Sequence, residues 1–162
     1  MYIGVDEAGR GALAGPIVVA AVILSNKFNN VRQLKDSKVL SPIKRELIYE
    51  SLVKDPNVLL SIFTVSAQQV DEMNVLQATL FGMQQSVLNL KTNVKSVLID
   101  GNKAPKLSGY KVKTVIGGDR TVSVISAASI IAKVSRDRFM EQLDKDYPGY
   151  GFNQHKGYGT SL

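Results

Sequence analysis

The sequence predicts an α/β domain with a mixed central β-sheet flanked by helices. Three observations lead there. Short β-branched apolar runs, such as residues 17–24 and 58–66, have the length of strands rather than helices. Longer stretches with helical spacing of apolar residues, such as 67–90, lie between the later strands. The first two strands are joined by residues 9–16 alone, too few for a helical crossover, so those two are antiparallel. Helices that separate the remaining strands then cover a sheet of mixed direction. A length of 162 residues suits a single domain, 1–162, with a core of useful size.

The elements follow in order. Residues 2–6 form a short strand that ends in acids. Residues 17–24 are uninterrupted apolar sequence, a buried strand, and the glycine-rich Gly9-Arg10-Gly11-Ala12-Leu13-Ala14-Gly15-Pro16 turns between the two. Ser41-Pro42 starts a helix, with serine as cap and proline in the first turn, and it runs to about Lys54. Residues 58–66 are a strand. Residues 67–90 are helical with a break near Asn74, and Leu76, Leu80, Met83, Val87 and Leu90 mark the inner face. Residues 96–99 form a strand that delivers Asp100. Residues 110–116 form another, followed by Gly117-Gly118-Asp119. Residues 127–143 are a helix with Ile130, Ile131, Val134 and Leu143 facing inward, and the tail from Pro148 is irregular and rich in glycine and aromatics.

Composition excludes several classes. With 44% hydrophobic and 21% charged residues the chain is too apolar for disorder. It contains no run of about 18 apolar residues, the length a membrane span requires. It has no cysteine, which removes disulfides, thiolate metal sites and cysteine nucleophiles, and a single histidine, His155, argues against zinc. The start lacks the pattern of a signal peptide, so a cytoplasmic protein is expected. The net charge of +6 favours a polyanionic partner, with +4 on residues 27–54 and +5 on residues 91–120. In the second basic stretch the only acids are Asp100 and Asp119.

Those two acids belong to a larger pattern. Asp6, Glu7, Asp100 and Asp119 each stand at or just beyond a strand end, where ligand sites form in α/β sheets. Four carboxylates brought together repel unless a cation neutralises them. Carboxylates without soft ligands select Mg2+ or Mn2+, and paired ions about 3.5–4 Å apart serve in-line phosphodiester hydrolysis. Any one of these acids alone is as well explained as a solvated turn residue.

The motifs Gly4-Val5-Asp6-Glu7-Ala8-Gly9-Arg10-Gly11, Asp36-Ser37-Lys38, Leu98-Ile99-Asp100-Gly101-Asn102 and Gly118-Asp119 follow one another along the chain. The run Ser126 to Arg138, with the sequence SAASIIAKVSRDR, and then His155-Lys156-Gly157-Tyr158-Gly159-Thr160 complete the order. This ordered set resembles type 2 ribonuclease H, the ribonuclease HII family. The resemblance implies a ribonuclease H-like fold and metal-dependent endonucleolytic cleavage of RNA in RNA–DNA hybrids and at ribonucleotides embedded in duplex DNA. It implies that Asp6, Glu7, Asp100 and Asp119 are the catalytic, metal-binding carboxylates, served by Mg2+ or Mn2+. It maps the family's substrate segment to Gly9, Arg10 and Gly11, a phosphate contact to Lys38 and the junction-reading tyrosine to Tyr158. The partners implied are the hybrid and the ribonucleotide-containing duplex, with no membrane and no obligate protein partner, so a monomer is expected. Family members usually continue past the tyrosine motif, whereas this sequence stops at Leu162, so the domain is expected to be short at its C-terminus.

Several residues carry two readings. Gly9-Arg10-Gly11 is either a tight turn or a backbone surface that approaches a nucleotide and its 2′-hydroxyl. Lys133 and Arg136 share a helix face and either touch DNA or pair with Asp137 and Glu141. Ser126 and Ser129 read as residues at a helix start, one of them a cap. Asp137 reads as a salt-bridging residue rather than a fifth catalytic acid, and His155 as structural or adjacent to substrate. Two rival functions remain at this level. One is another nuclease on the same fold, which would lack the glycine loop and the distal tyrosine. The other is a basic nucleic-acid-binding module whose acids are merely solvated.

Overall fold

The structure, a computed structural model, describes residues 1–12, 15–35, 40–149 and 151. Five strands form one sheet: β1 (Ile3–Ala8), β2 (Ile17–Leu24), β3 (Val58–Val65), β4 (Ser96–Asp100) and β5 (Lys111–Val115). Their order across the sheet is β3-β2-β1-β4-β5. β1 and β2 are antiparallel, as the short link between them requires, and β2 and β3 are also antiparallel. β1 pairs with β4 in parallel, and β4 with β5 in parallel, so the sheet is mixed as expected.

Helices cover both faces. The helix α2 (Pro42–Lys54) begins as its sequence dictates, with Ser41 Oγ accepting the Lys44 amide and proline in the first turn. The expected break at Asn74 separates α3 (Ala67–Met73) from α4 (Val75–Leu88). Asn74 takes a left-handed φ of 72°, and its side chain accepts the Gln77 amide, so one residue both stops α3 and caps α4. α4 packs one face of the sheet, burying Met83 and Val87 with Ile3, Val5, Val19 and Ile99. The long helix α6 (Ser123–Asp146) packs the other, burying Ala127, Ile131 and Val134 with Ala20 and Val22. Gly4 makes that approach possible: a Cβ there would lie 2.4 Å from the Val124 carbonyl carbon. α2 is tied to α6 by Arg138, which bonds Glu46 and Glu50 and lies over the Tyr49 ring.

Three features differ from the expectation. Two short helices, α1 (Val31–Lys35) and α5 (Gly118–Thr121), have too few residues to show a period in sequence. α6 starts at Ser123, before residue 127, so Ser126 and Ser129 lie inside the helix and neither caps it. Leu143 is half-buried, since α6 there runs past the edge of the core. No helix among the described residues is long and apolar enough to cross a membrane.

Candidate active site

The parallel pairing of β1 with β4 sets Ile3 beside Val97 and Val5 beside Ile99. The next residue of each strand is an acid, so Asp6 stands next to Asp100; β1 runs on to Ala8 rather than ending at residue 6 as expected, so Asp6 and Glu7 lie within the strand, opposite Ala20 and Val19 of β2. Asp6 is 5% exposed. Its Oδ1 accepts the Glu7 amide at 2.8 Å. β5 adds the fourth acid through the turn after it. Gly117 takes a left-handed φ of 67°, α5 follows, and the Asp119 amide donates to Asp100 Oδ1 at 3.0 Å. Helix α6 fastens that turn, because the buried Ser126 hydroxyl donates to the Asp119 carbonyl at 2.5 Å.

Electrostatics joins these acids into one group. Burial pushes the Asp6 carboxyl well above its ordinary value, and the Glu7 and Asp100 charges push it further. Burial likewise raises Glu7; the Asp6 hydrogen bond opposes this, Asp100 adds to it and the Arg10 guanidinium again opposes it. Burial raises Asp100 too, against the Asp119 amide that stabilises its charge, with the Asp119 charge adding to the rise.

The donor set suits a hard divalent cation. It is anionic and made only of oxygen, and Glu7 Oε2 is buried with no hydrogen-bond partner. A buried, unmatched carboxylate oxygen is costly, and a cation would satisfy it. No group of three or more His, Cys, Asp or Glu side chains among the described residues is already gathered as a metal ion would need. The structure brings Asp6, Glu7 and Asp100 within electrostatic reach of one another and Asp119 beside Asp100, without gathering them into the ligand set that the sequence predicted.

Beside the acids, Gly9-Arg10-Gly11 makes a tight turn closed by the Ala12 amide on the Gly9 carbonyl at 3.1 Å. Gly9 is buried, while Arg10 and Gly11 are exposed. A hollow of about 460 Å3 borders this turn, with Gly9, Arg10 and Ala12 on one side and Val70 and Asp71 of α3 on the other. Lys38 and Tyr158, along with His155, lie outside the described residues.

Two residues take roles that the sequence did not assign them. Arg136 does not share a solvent face with Lys133: Lys133 is exposed and Arg136 is 1% exposed. Its Nε donates to the Pro16 carbonyl at 2.9 Å, under the glycine loop. Arg136 continues the buried stripe of Ala128, Ala132 and Met140 at four-residue spacing, which removes it from the DNA contacts considered above. Ser126 serves the Asp119 turn instead of a cap. The signal available for both was position alone: a polar residue in an otherwise apolar helical stripe is buried for a partner.

The sequence profile of the family described as Ribonuclease HII matches residues 3–161. Ribonuclease HII of Delftia acidovorans is 48% identical over 158 residues, which is 98% of this chain and 66% of that protein. Ribonuclease HII of Pelagibacter ubique is 47% identical, covering 97% of this chain and 83% of that protein. The chain thus spans roughly two thirds to five sixths of these relatives. Ribonuclease H2 from Pyrococcus horikoshii superposes with a TM-score of 0.80 at 30% identity, over 99% of this chain and 81% of that one. Ribonuclease HIII of Bst, solved with Mn2+, superposes at 0.78 with 22% identity over 90% of this chain and 54% of that one, a likeness of fold.

Proposed function

The chain belongs to the ribonuclease HII family, and from that premise we propose that it is a divalent-metal-dependent endonuclease. Its substrates are the RNA strand of RNA–DNA hybrids and ribonucleotides embedded in duplex DNA. The observation that carries the reading is the adjacency of Asp6 and Asp100 on parallel strands, with a buried, unpartnered oxygen on the neighbouring Glu7.

Asp6, Glu7, Asp100 and Asp119 would hold the metal, Mg2+ or Mn2+ by the hardness of the donors. Bound there, divalent ions supply an activated water and neutralise charge on the leaving oxygen. The chain's own residues do the rest. The Asp119 amide fixes one oxygen of Asp100, and the Glu7 amide fixes one oxygen of Asp6, so both carboxylates are held in orientation. The exposed backbone at Gly11 can approach the ribose 2′-hydroxyl, the group that distinguishes RNA from DNA. Arg10 and Lys38 bind phosphates, and Tyr158 packs on the sugar beside the ribonucleotide. The products carry 3′-hydroxyl and 5′-phosphate ends. The protein acts as a monomer and a single catalytic domain in the cytoplasm.

The test is a cleavage assay on duplex DNA that carries one ribonucleotide, with and without divalent metal. Cleavage at the ribonucleotide that chelation abolishes supports the reading. Binding that survives chelation with no cleavage in metal would replace it with a simple nucleic-acid-binding module.

A further inference from the structure

We propose that Arg136 is a positioning residue for substrate recognition: its buried guanidinium sets the backbone at Gly9 and at Gly15-Pro16, and with it the neighbouring Arg10-Gly11 backbone that meets the ribonucleotide. The inference rests on the ribonucleotide-cleaving reading above.

Arg136 lies within α6, which packs on β1 and β2, the strands that the loop connects. A guanidinium is rarely buried so completely, because removing it from water is costly unless acceptors surround it. One acceptor is the Pro16 carbonyl, at the point where the loop enters β2. The same side chain also occupies the space beneath two glycines. A Cβ on Gly9 would lie 2.2 Å from Arg136 Nε, and one on Gly15 would lie 2.9 Å from Nη2. Gly9 and Gly15 have φ of 97° and 92°, a region that side chains other than glycine rarely adopt.

The loop therefore wraps the guanidinium at both ends, Gly9 on leaving β1 and Gly15-Pro16 on entering β2. Between them, a Cβ on Gly11 would meet nothing within 4 Å among the described residues. One side of the loop rests on a cation, and the other is open for a ligand. Recognition by backbone groups depends on placement to a fraction of an ångström, because a backbone cannot rotate to compensate. A lysine would keep the charge but lose the planar fork that reaches Pro16 and underlies Gly15 together.

The test compares the wild type with Arg136→Lys and Arg136→Gln on duplex DNA carrying one ribonucleotide. Calorimetric titration of Mn2+ and hydrogen exchange at the Ala12 amide, which is bonded to Gly9, accompany the kinetics. KM is expected to rise roughly tenfold in Arg136→Lys and further in Arg136→Gln, with kcat kept within about threefold. Mn2+ binding stays as in the wild type, and Ala12 exchange accelerates by roughly tenfold or more. A fall in kcat at unchanged KM would overturn the proposal. So would a lowered melting temperature with wild-type KM and wild-type Ala12 exchange. A wild type that does not cleave this duplex overturns the functional reading and the recognition role with it. In that event faster Ala12 exchange in Arg136→Lys still separates an arginine that holds the loop from one that does not.

Discussion

Asp6 and Asp100 reach the site on hydrogen-bonded strands, whereas Gly9-Arg10-Gly11 reaches it on a loop wrapped around a buried arginine. The two regions adjoin, with Arg10 close enough to bias the charge on Glu7, yet they are held by opposite means. At the carboxylates the backbone is secure and the side chains are in conflict, since burial and mutual repulsion all oppose their ionisation. At the loop the backbone takes two left-handed glycine conformations, and a side chain from another element secures it. In the proposed reading, strand register places the groups that act on the phosphate, and loop packing places the groups that choose the sugar. Damage to the first region should remove chemistry while sparing stability. Damage to the second should remove selectivity.

The largest expected effect tests the first half of that contrast. Asp6→Asn and Asp100→Asn should each lower cleavage by about three orders of magnitude or more, the scale on which metal positioning acts. Duplex binding and the circular dichroism spectrum should stay close to wild type. Wild-type turnover in either purified variant would remove these acids from the proposed metal site.

Next comes Tyr158→Ala, expected to weaken cleavage at a single ribonucleotide by roughly 10- to 100-fold through loss of an aromatic contact. Tyr158→Phe should retain much of the activity, because packing uses the ring. A sharply lowered melting temperature with unchanged cleavage per folded molecule would make the residue structural.

The loop itself is sharpened by a pair of glycines. Gly11→Ala meets nothing within 4 Å among the described residues, whereas Gly9→Ala places a Cβ 2.2 Å from Arg136 Nε. Gly11→Ala should therefore leave the melting temperature unchanged and weaken cleavage by roughly tenfold, as a methyl group obstructs the approach of the ribose. Gly9→Ala should lower both. Equal melting temperatures for the two variants would show that the loop does not rest on Arg136.

How much of this was legible in the sequence differs between the regions for the same physical reason. Asp100 could be placed at the end of an apolar strand before any coordinates, whereas Asp6 and Glu7 were expected at a strand end and lie inside β1, because pairing with β2 carries the strand on to Ala8. The break at Asn74 was legible because a good capping residue interrupts the apolar period there. Arg136 was misplaced because its charge was read as a solvent face, although at four-residue spacing it continues the buried stripe of Ala128, Ala132 and Met140. The buried bonds from Arg136 to Pro16 and from Ser126 to Asp119 join distant parts of the chain, and local periodicity carries no trace of such partners. α5 was missed because four residues give no period at all.

The smallest effect isolates the conflict at the carboxylates. The Asp6 carboxyl is held above its ordinary value of 3.8 by burial and then by Glu7 and Asp100. A carboxyl raised in the folded state contributes stability that is complete below its unfolded value and lost as pH rises through the folded one. As pH rises above 3.8 the wild type loses that contribution, whereas Asp6→Asn has no charge to bury. Asn also keeps an oxygen for the Glu7 amide bond. With a chelator present, Asp6→Asn should therefore melt above the wild type at pH 7 by about 2–4 °C, the shift that ~1 kcal/mol produces in a chain of this size. The gain should shrink steadily as pH falls to and below 3.8, since only below that value is the wild-type carboxyl protonated in both states. Added Mn2+ should narrow or reverse the difference at pH 7, because a bound cation offsets the repulsion only in the wild type. A melting temperature that drops in Asp6→Asn at pH 7, or a difference that does not vary with pH, would show that these acids are not in electrostatic conflict.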